Sequence, residues 1–137
     1  MRACSADRGD SMAQTILLVE DNHDNQAIYA VILRHYGYDV LIADDGEKAL
    51  VMAHQNLPDA ILMDVTIPII DGLEATRRLK ADPATTHIPI IILTAHVMPE
   101  DRTSAFEAGG DAYLSKPVEP RHVVDELRRV LACHPGP

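Results

Sequence analysis

Five polar side chains stand where short apolar runs stop. Glu20 and Asp21 follow TILLV, Asp64 closes ILMD, Thr94 closes IIILT, and Lys116 follows AYLS. A carboxylate at the end of a buried run is costly unless something stabilises its charge. Three carboxylates brought within a few ångströms repel one another, and a divalent cation relieves that repulsion. Carboxylates, a backbone carbonyl and water are hard oxygen ligands that suit Mg²⁺. Lys116 would add a positive point charge opposite the metal, and Thr94 a hydroxyl donor. A metal, an ammonium and a hydroxyl around one carboxylate can hold a phosphoryl group while that carboxylate attacks phosphorus. The chemistry expected of Asp64 is therefore nucleophilic, with an aspartyl phosphate as the product.

Each residue also has an ordinary reading. A single Asp after a strand commonly caps a helix or starts a turn, and Asp21 or Asn22 would cap the helix that follows. Lys116, before Pro117, reads as a solvated loop residue, Thr94 as a strand residue, and His23 as a solvated loop residue near the acids. The acids at 44 to 47 read as a solvated helix start that complements the helix dipole. Chemistry follows only if the polar residues arrive together at one end of one sheet.

The elements that must position them alternate regularly. Residues 15–20, 39–43, 59–65, 88–95 and 112–115 read as short buried strands. Between them, residues 25–37 show helical spacing through Ile28, Val31 and Ile32, closed by Gly37. Residues 45–56 place Leu50 and Ala53 inward, and residues 72–82 place Leu73, Thr76 and Leu79 on one side before Pro83. Residues 99–109 carry Pro99 in a first turn and Gly109 as a stop, and residues 120–132 align Val123, Leu127, Val130 and Leu131. Apolar strands alternating with helices imply an α/β fold with a parallel sheet covered on both faces. In such sheets ligands bind beyond the carboxyl ends of the strands. The organisation expected is a lead over 1–13 that reads as disordered, one domain over 14–132, and a short tail over 133–137.

Composition narrows the function. The 137 residues carry a net charge of -9, from 21 acids and 12 basic residues, and a single Phe with no Trp. A nucleic-acid surface needs a Lys/Arg stripe or stacking aromatics, so nucleic acid is not an expected partner. Cys4 and Cys133 show no metal-ligand spacing and read as free thiols in a reducing compartment. No apolar run approaches the roughly 20 residues that span a bilayer. The amino terminus has no apolar signal core. A cytoplasmic protein that does not engage membranes is expected.

The motifs LLVEDNHDN (17–25), LMDVTIPIIDGLE (62–74), ILTA (92–95) and YLSKP (113–117) resemble those of the response-regulator receiver domain of the CheY-like superfamily, over about residues 14 to 132. The resemblance implies a flavodoxin-like (βα)5 three-layer sandwich with strand order 2-1-3-4-5. It implies that Asp64 takes a phosphoryl group from a histidine of a sensor kinase or a histidine phosphotransfer protein. Asp21 and Asp64 would ligate Mg²⁺ directly, Glu20 through water, and the Thr66 carbonyl would complete the protein ligands. Lys116 would pair with the phosphoryl group, Thr94 would bond it, and Tyr113 would swing inward behind Thr94. Turnover would be confined to self-catalysed phosphoryl transfer and autodephosphorylation, so the chain is not expected to be an enzyme. A protein target would read the face formed by helix four, strand five and helix five.

The motif departs from its commonest form in three places. Ile67 and Ile70 stand where Met is frequent, and Glu20 stands where Asp is commoner. Thr66 and His96 occupy the positions two beyond the nucleophile and the switch threonine, which in the family tune phosphoryl lifetime through water access. Three other readings compete. A haloacid-dehalogenase-type phosphatase would want an acid at 66, where Thr stands. A flavodoxin-like electron carrier would want a phosphate loop at EDNHDN, which is acidic. A receiver-like binding module that is never phosphorylated would keep the fold and lose the chemistry.

Overall fold

Each apolar run becomes one short strand, because a few residues rich in aliphatic and aromatic side chains pack better on a pleated surface than as an isolated helical turn. In the computed structural model, which describes residues 14–95, 99–116 and 118–133, the strands are β1 (Thr15–Val19), β2 (Asp39–Ala43), β3 (Ala60–Asp64), β4 (Ile90–Thr94) and β5 (Ala112–Ser115). The helices are α1 (His23–His35), α2 (Gly46–Asn56), α3 (Gly72–Ala81), α4 (Pro99–Glu107) and α5 (Pro120–Cys133). The strands form one parallel sheet in the order β2-β1-β3-β4-β5. The expected α/β architecture and strand order are present. The expected lead over 1–13, His96, Pro117 and tail residues 134–137 lie outside the described residues.

Alternation along the strands divides the core in two. Ile16, Leu18, Leu62 and Leu93 face one side with Leu33 of α1 and Leu127 of α5. Leu17, Ile61, Met63 and Ile92 face the other with Ala49 of α2, Leu79 of α3 and Ala105 of α4. Burial of each such side chain stabilises by about 1.5–3 kcal/mol for the larger aliphatics. Every residue of β3 and β4 is buried, which is why they read as continuous apolar runs without alternation. Among the described residues, no helix is long and apolar enough to cross a membrane.

The helix expected at 25–37 differs in start and phase. It begins at His23, two residues earlier, because the Asn22 side chain accepts the Asn25 N–H at 2.9 Å and caps it. His23 is thus an exposed first-turn residue of α1 and not part of a loop. The buried face is Tyr29, Ala30 and Leu33, while Ile28 and Val31 are 52% and 64% exposed. The run AIYAVIL is apolar on more than one helical face, so periodicity alone does not choose the phase. The cap and the fit of Tyr29 and Leu33 against the sheet choose it. Asp45 caps α2 through the Lys48 N–H at 2.7 Å, and Asp71 caps α3 through the Glu74 N–H at 2.9 Å.

The connection from β3 to α3 is pinned by backbone hydrogen bonds. The Gly72 N–H donates to the Val65 carbonyl at 2.9 Å, and the Ile70 N–H donates to the Pro68 carbonyl at 2.9 Å. The loop holds Ile69 at φ +74°, with its side chain 72% exposed. A β-branched residue in the left-handed region is strained by about 1–2 kcal/mol. Glycine, with no Cβ, meets no such penalty at positive φ, and little burial is lost on replacing Ile69. Ile69→Gly is therefore expected to stabilise the domain by up to about 1 kcal/mol, read as a higher urea midpoint at unchanged slope.

Candidate functional site

The register of the sheet brings the polar residues together. Val19 pairs with Met63, Asp64 with Leu93, and Thr94 with Ser115, so β1, β3, β4 and β5 end at one level. Glu20 follows β1, its N–H bonded to the Ala43 carbonyl of β2 at 3.0 Å. Its carboxylate is buried, with Oε2 accepting the Asn22 N–H at 3.2 Å. The Gln26 side chain donates to the Glu20 carbonyl at 2.6 Å and ties α1 to the strand end. Asp21 is exposed beside it.

Asp64 is the last residue of β3 and is 3% exposed. Its Oδ1 accepts the Thr66 N–H at 3.1 Å. Its Oδ2 accepts from Lys116 Nζ at 2.7 Å, and the same ammonium lies 3.5 Å from Glu20 Oε1. The Lys116 N–H donates to the Thr94 carbonyl at 2.7 Å, which fixes where the lysine leaves the sheet. Thr94 ends β4 and is buried. Thr66 has an exposed side chain two residues beyond Asp64. Tyr113 lies half-buried on β5.

One carboxylate oxygen from each of Glu20, Asp21 and Asp64 lies within 4.8 Å of the others. Burial raises the Glu20 pKa, the Asp64 charge raises it further, and Lys116 offsets part of the effect. For Lys116, burial acts to lower the pKa. The Asp64 hydrogen bond and the Asp64 and Glu20 charges outweigh it, leaving the ammonium above its ordinary value. Three carboxylates thus face one ammonium. The all-oxygen donor set of this cluster fits a hard divalent cation such as Mg²⁺.

Several features of the site had no clear signal in the sequence. Asn22 serves both the α1 cap and the Glu20 carboxylate. Tyr29 has its pKa raised by burial first, with Lys116, Glu20 and Asp64 all acting on it, which places its hydroxyl in the field of the site. A recess of about 440 Å³ beside Lys116 is walled by Ile28, Tyr29, Ala95 and Val118. His23 acts on Asp44, which is held below the usual carboxylate range chiefly by Lys48.

The fold and this end-of-sheet cluster define a flavodoxin-like, CheY-like α/β protein. The chain belongs to the response regulator receiver domain family, whose model matches residues 16–128. It is 34% identical over 120 residues to the polar-differentiation response regulator DivK of Brucella anthropi, covering 88% of this chain and 98% of that one. It is 42% identical over 115 residues to hybrid signal transduction histidine kinase I of Dictyostelium discoideum. That match covers 79% of this chain and spans only 7% of that relative's length. Among solved structures, a putative response regulator from Chloroflexus aurantiacus superposes with a TM-score of 0.84 at 38% identity, over 88% of this chain and 99% of that one. The receiver domain of a Pseudomonas aeruginosa sensor histidine kinase superposes with a TM-score of 0.81 at 40% identity, over 88% and 98% of the two chains. That structure has a magnesium ion coordinated in its active-site cleft. The protein is a receiver domain of the two-component signalling type.

Proposed function

We propose that Asp64 accepts a phosphoryl group from a phosphohistidine of a sensor kinase or phosphotransfer protein, and that the chain signals to a protein target by the change in shape that follows. The observation that carries this reading is the Asp64 carboxylate, buried, bonded to Lys116 at 2.7 Å and grouped with Glu20 and Asp21. An Asp64 oxygen forms the new bond to phosphorus while the bond from phosphorus to the donor imidazole nitrogen breaks. The electron pair leaves with that nitrogen. Lys116 balances charge on the transferring group, and the Thr66 N–H holds Asp64 Oδ1 in place for attack. Asp21 and Asp64 would hold Mg²⁺ directly, Glu20 through water, with the Thr66 carbonyl as the remaining protein ligand. Bound there, the ion supplies the positive charge that three carboxylates and one ammonium lack. Magnesium in the cleft of the Pseudomonas relative supports this assignment.

Thr94, buried one strand from Asp64, bonds the phosphoryl group once it has formed, and Tyr113 follows it inward. Turnover is confined to the chain's own aspartyl phosphate, so the protein is a switch and not an enzyme. Membership of a two-component family supports a cytoplasmic location and a kinase or phosphotransfer partner. The target's docking face is the α4–β5–α5 surface. A groove of about 660 Å³ runs there, between Arg102, Tyr113, Glu119, Arg121 and Asp125.

The test is intact-protein mass after incubation with acetyl phosphate and Mg²⁺. One added phosphoryl per chain is expected, and none when a chelator removes the cation. No uptake from acetyl phosphate, nor from phosphoramidate as a P–N donor, would leave a receiver fold used only for binding.

A further inference from the structure

We propose that Arg102 and Phe106 of α4 are positioning residues that hold Tyr113 in its resting place and so set how readily Asp64 becomes phosphorylated. The inference rests on the proposed phosphoacceptor role of Asp64. The two residues lie four apart, one turn above the other on a single helix face. The Arg102 guanidinium carbon is 5.3 Å from the centroid of the Tyr113 ring. The Phe106 ring lies 6.4 Å from the same ring at a tilt of 34°. Both α4 side chains are exposed, Phe106 to 47%, so Tyr113 is gripped from its solvent side. Phe106 is the only Phe in the chain, and it sits at the surface against this ring.

The inner side of Tyr113 differs. A cavity of about 30 Å³ lies there, and its walls include Tyr113, Thr94, Val65, Leu73 and Ala105. That is room for about one or two waters. Val65 directly follows Asp64, so the cavity lies between the tyrosine and the end of the nucleophile strand. The ring thus packs on Arg102 and Phe106 on one side and borders a small cavity, walled also by Asp101 of α4, on the other. Such an element has two positions, and the outer contacts weight one of them. Inward movement gives up the guanidinium and the second ring. Because coupling is reciprocal, whatever favours the outer position of Tyr113 also disfavours the acyl-phosphate state of Asp64.

The experiment follows the Tyr113 environment and the apparent affinity for beryllium fluoride with Mg²⁺, used as a mimic of the aspartyl phosphate. Fluorotyrosine labelling reports on four tyrosines, and Tyr113→Phe assigns the relevant resonance. Arg102→Ala and Phe106→Ala are expected to shift the free-protein Tyr113 signal toward its position in the beryllofluoride complex. They are expected to raise the apparent affinity about two- to fivefold, which corresponds to ~0.5–1 kcal/mol for an exposed cation–π contact. Arg102→Lys keeps a cation over the ring and is expected to retain most of the wild-type behaviour. An unmoved Tyr113 signal and affinity in both alanine variants, with a responsive wild type, would overturn the inference and leave the phosphoacceptor reading intact. A fall in affinity would also overturn it, because the stack would then belong to the phosphorylated state. A wild type that neither binds beryllofluoride nor gains a phosphoryl group from acetyl phosphate would instead remove the reading on which the inference stands.

Discussion

Asp64→Asn is expected to gain no phosphoryl group under conditions in which the wild type gains one per chain. The asparagine amide keeps the size of the carboxylate, and its oxygen can still accept the Thr66 N–H. What it lacks is the negative oxygen proposed to attack phosphorus, which Lys116 now holds at 2.7 Å. The variant also removes one of three carboxylates that converge within 4.8 Å. Wild-type protein should therefore be stabilised by Mg²⁺, and Asp64→Asn much less so. A tenfold loss of Mg²⁺ affinity lowers the ligand-induced stabilisation by about 1.4 kcal/mol at saturating metal. Urea melts with and without Mg²⁺ measure this directly, and mass spectrometry measures the chemistry. Full phosphoryl uptake by Asp64→Asn would mean that another side chain is the acceptor. Equal Mg²⁺ stabilisation of the two proteins would place the cation elsewhere.

Gly72→Ala is expected to cost about 3 kcal/mol or more. A Cβ at this position would stand 2.2 Å from the Asp64 carbonyl oxygen and 2.8 Å from Val65 Cα. These are backbone atoms at the end of a buried strand, so no side chain can rotate away to make room. The methyl must lift the start of α3 from the end of β3, breaking the 2.9 Å hydrogen bond from the Gly72 N–H to the Val65 carbonyl. Gly37→Ala is the internal control. That glycine has φ +94° and nothing within 4 Å of the place a Cβ would occupy, so its substitution meets only the left-handed strain of about 1–2 kcal/mol. Urea midpoints should rank wild type above Gly37→Ala above Gly72→Ala. Gly72→Ala should also take up phosphoryl groups more slowly, since the displaced backbone carries Asp64, the proposed acceptor. A Gly72→Ala protein as stable as Gly37→Ala would show that the contact of α3 with the nucleophile strand is loose.

Much of this domain is legible in the residues because its signals are short-range. Five apolar runs of strand length, with helical spacing between them, admit few arrangements other than a parallel sheet covered on both faces. The glycine at 37 and the proline at 99 mark a helix end and a helix start for local conformational reasons. Glu20, Asp21, Asp64, Thr94 and Lys116 are noticeable because each stands at the end of an apolar run. Parallel strands deliver their carboxyl ends to one edge, which is where these residues meet.

Other features depend on packing at a distance. The apolar run of α1 has more than one plausible inward face, and contact with the sheet selects Tyr29, Ala30 and Leu33, leaving Ile28 and Val31 outside. Residue order suggests that Lys116 meets the acids, but only packing sets its distances of 2.7 Å to Asp64 and 3.5 Å to Glu20, residues 52 and 96 positions away. Nor does residue order show that Ile69 sits at positive φ in a tight three-residue turn or that Arg102 and Phe106 grip Tyr113. The sequence by itself determined the kinds of groups present, the strand and helix rhythm, and the end of the sheet at which chemistry can occur, since all three follow from residue type and local spacing. The tertiary structure alone decided distances, burial and the charge felt by each group. Those quantities depend on which distant elements touch, and residue spacing along the chain does not carry that information.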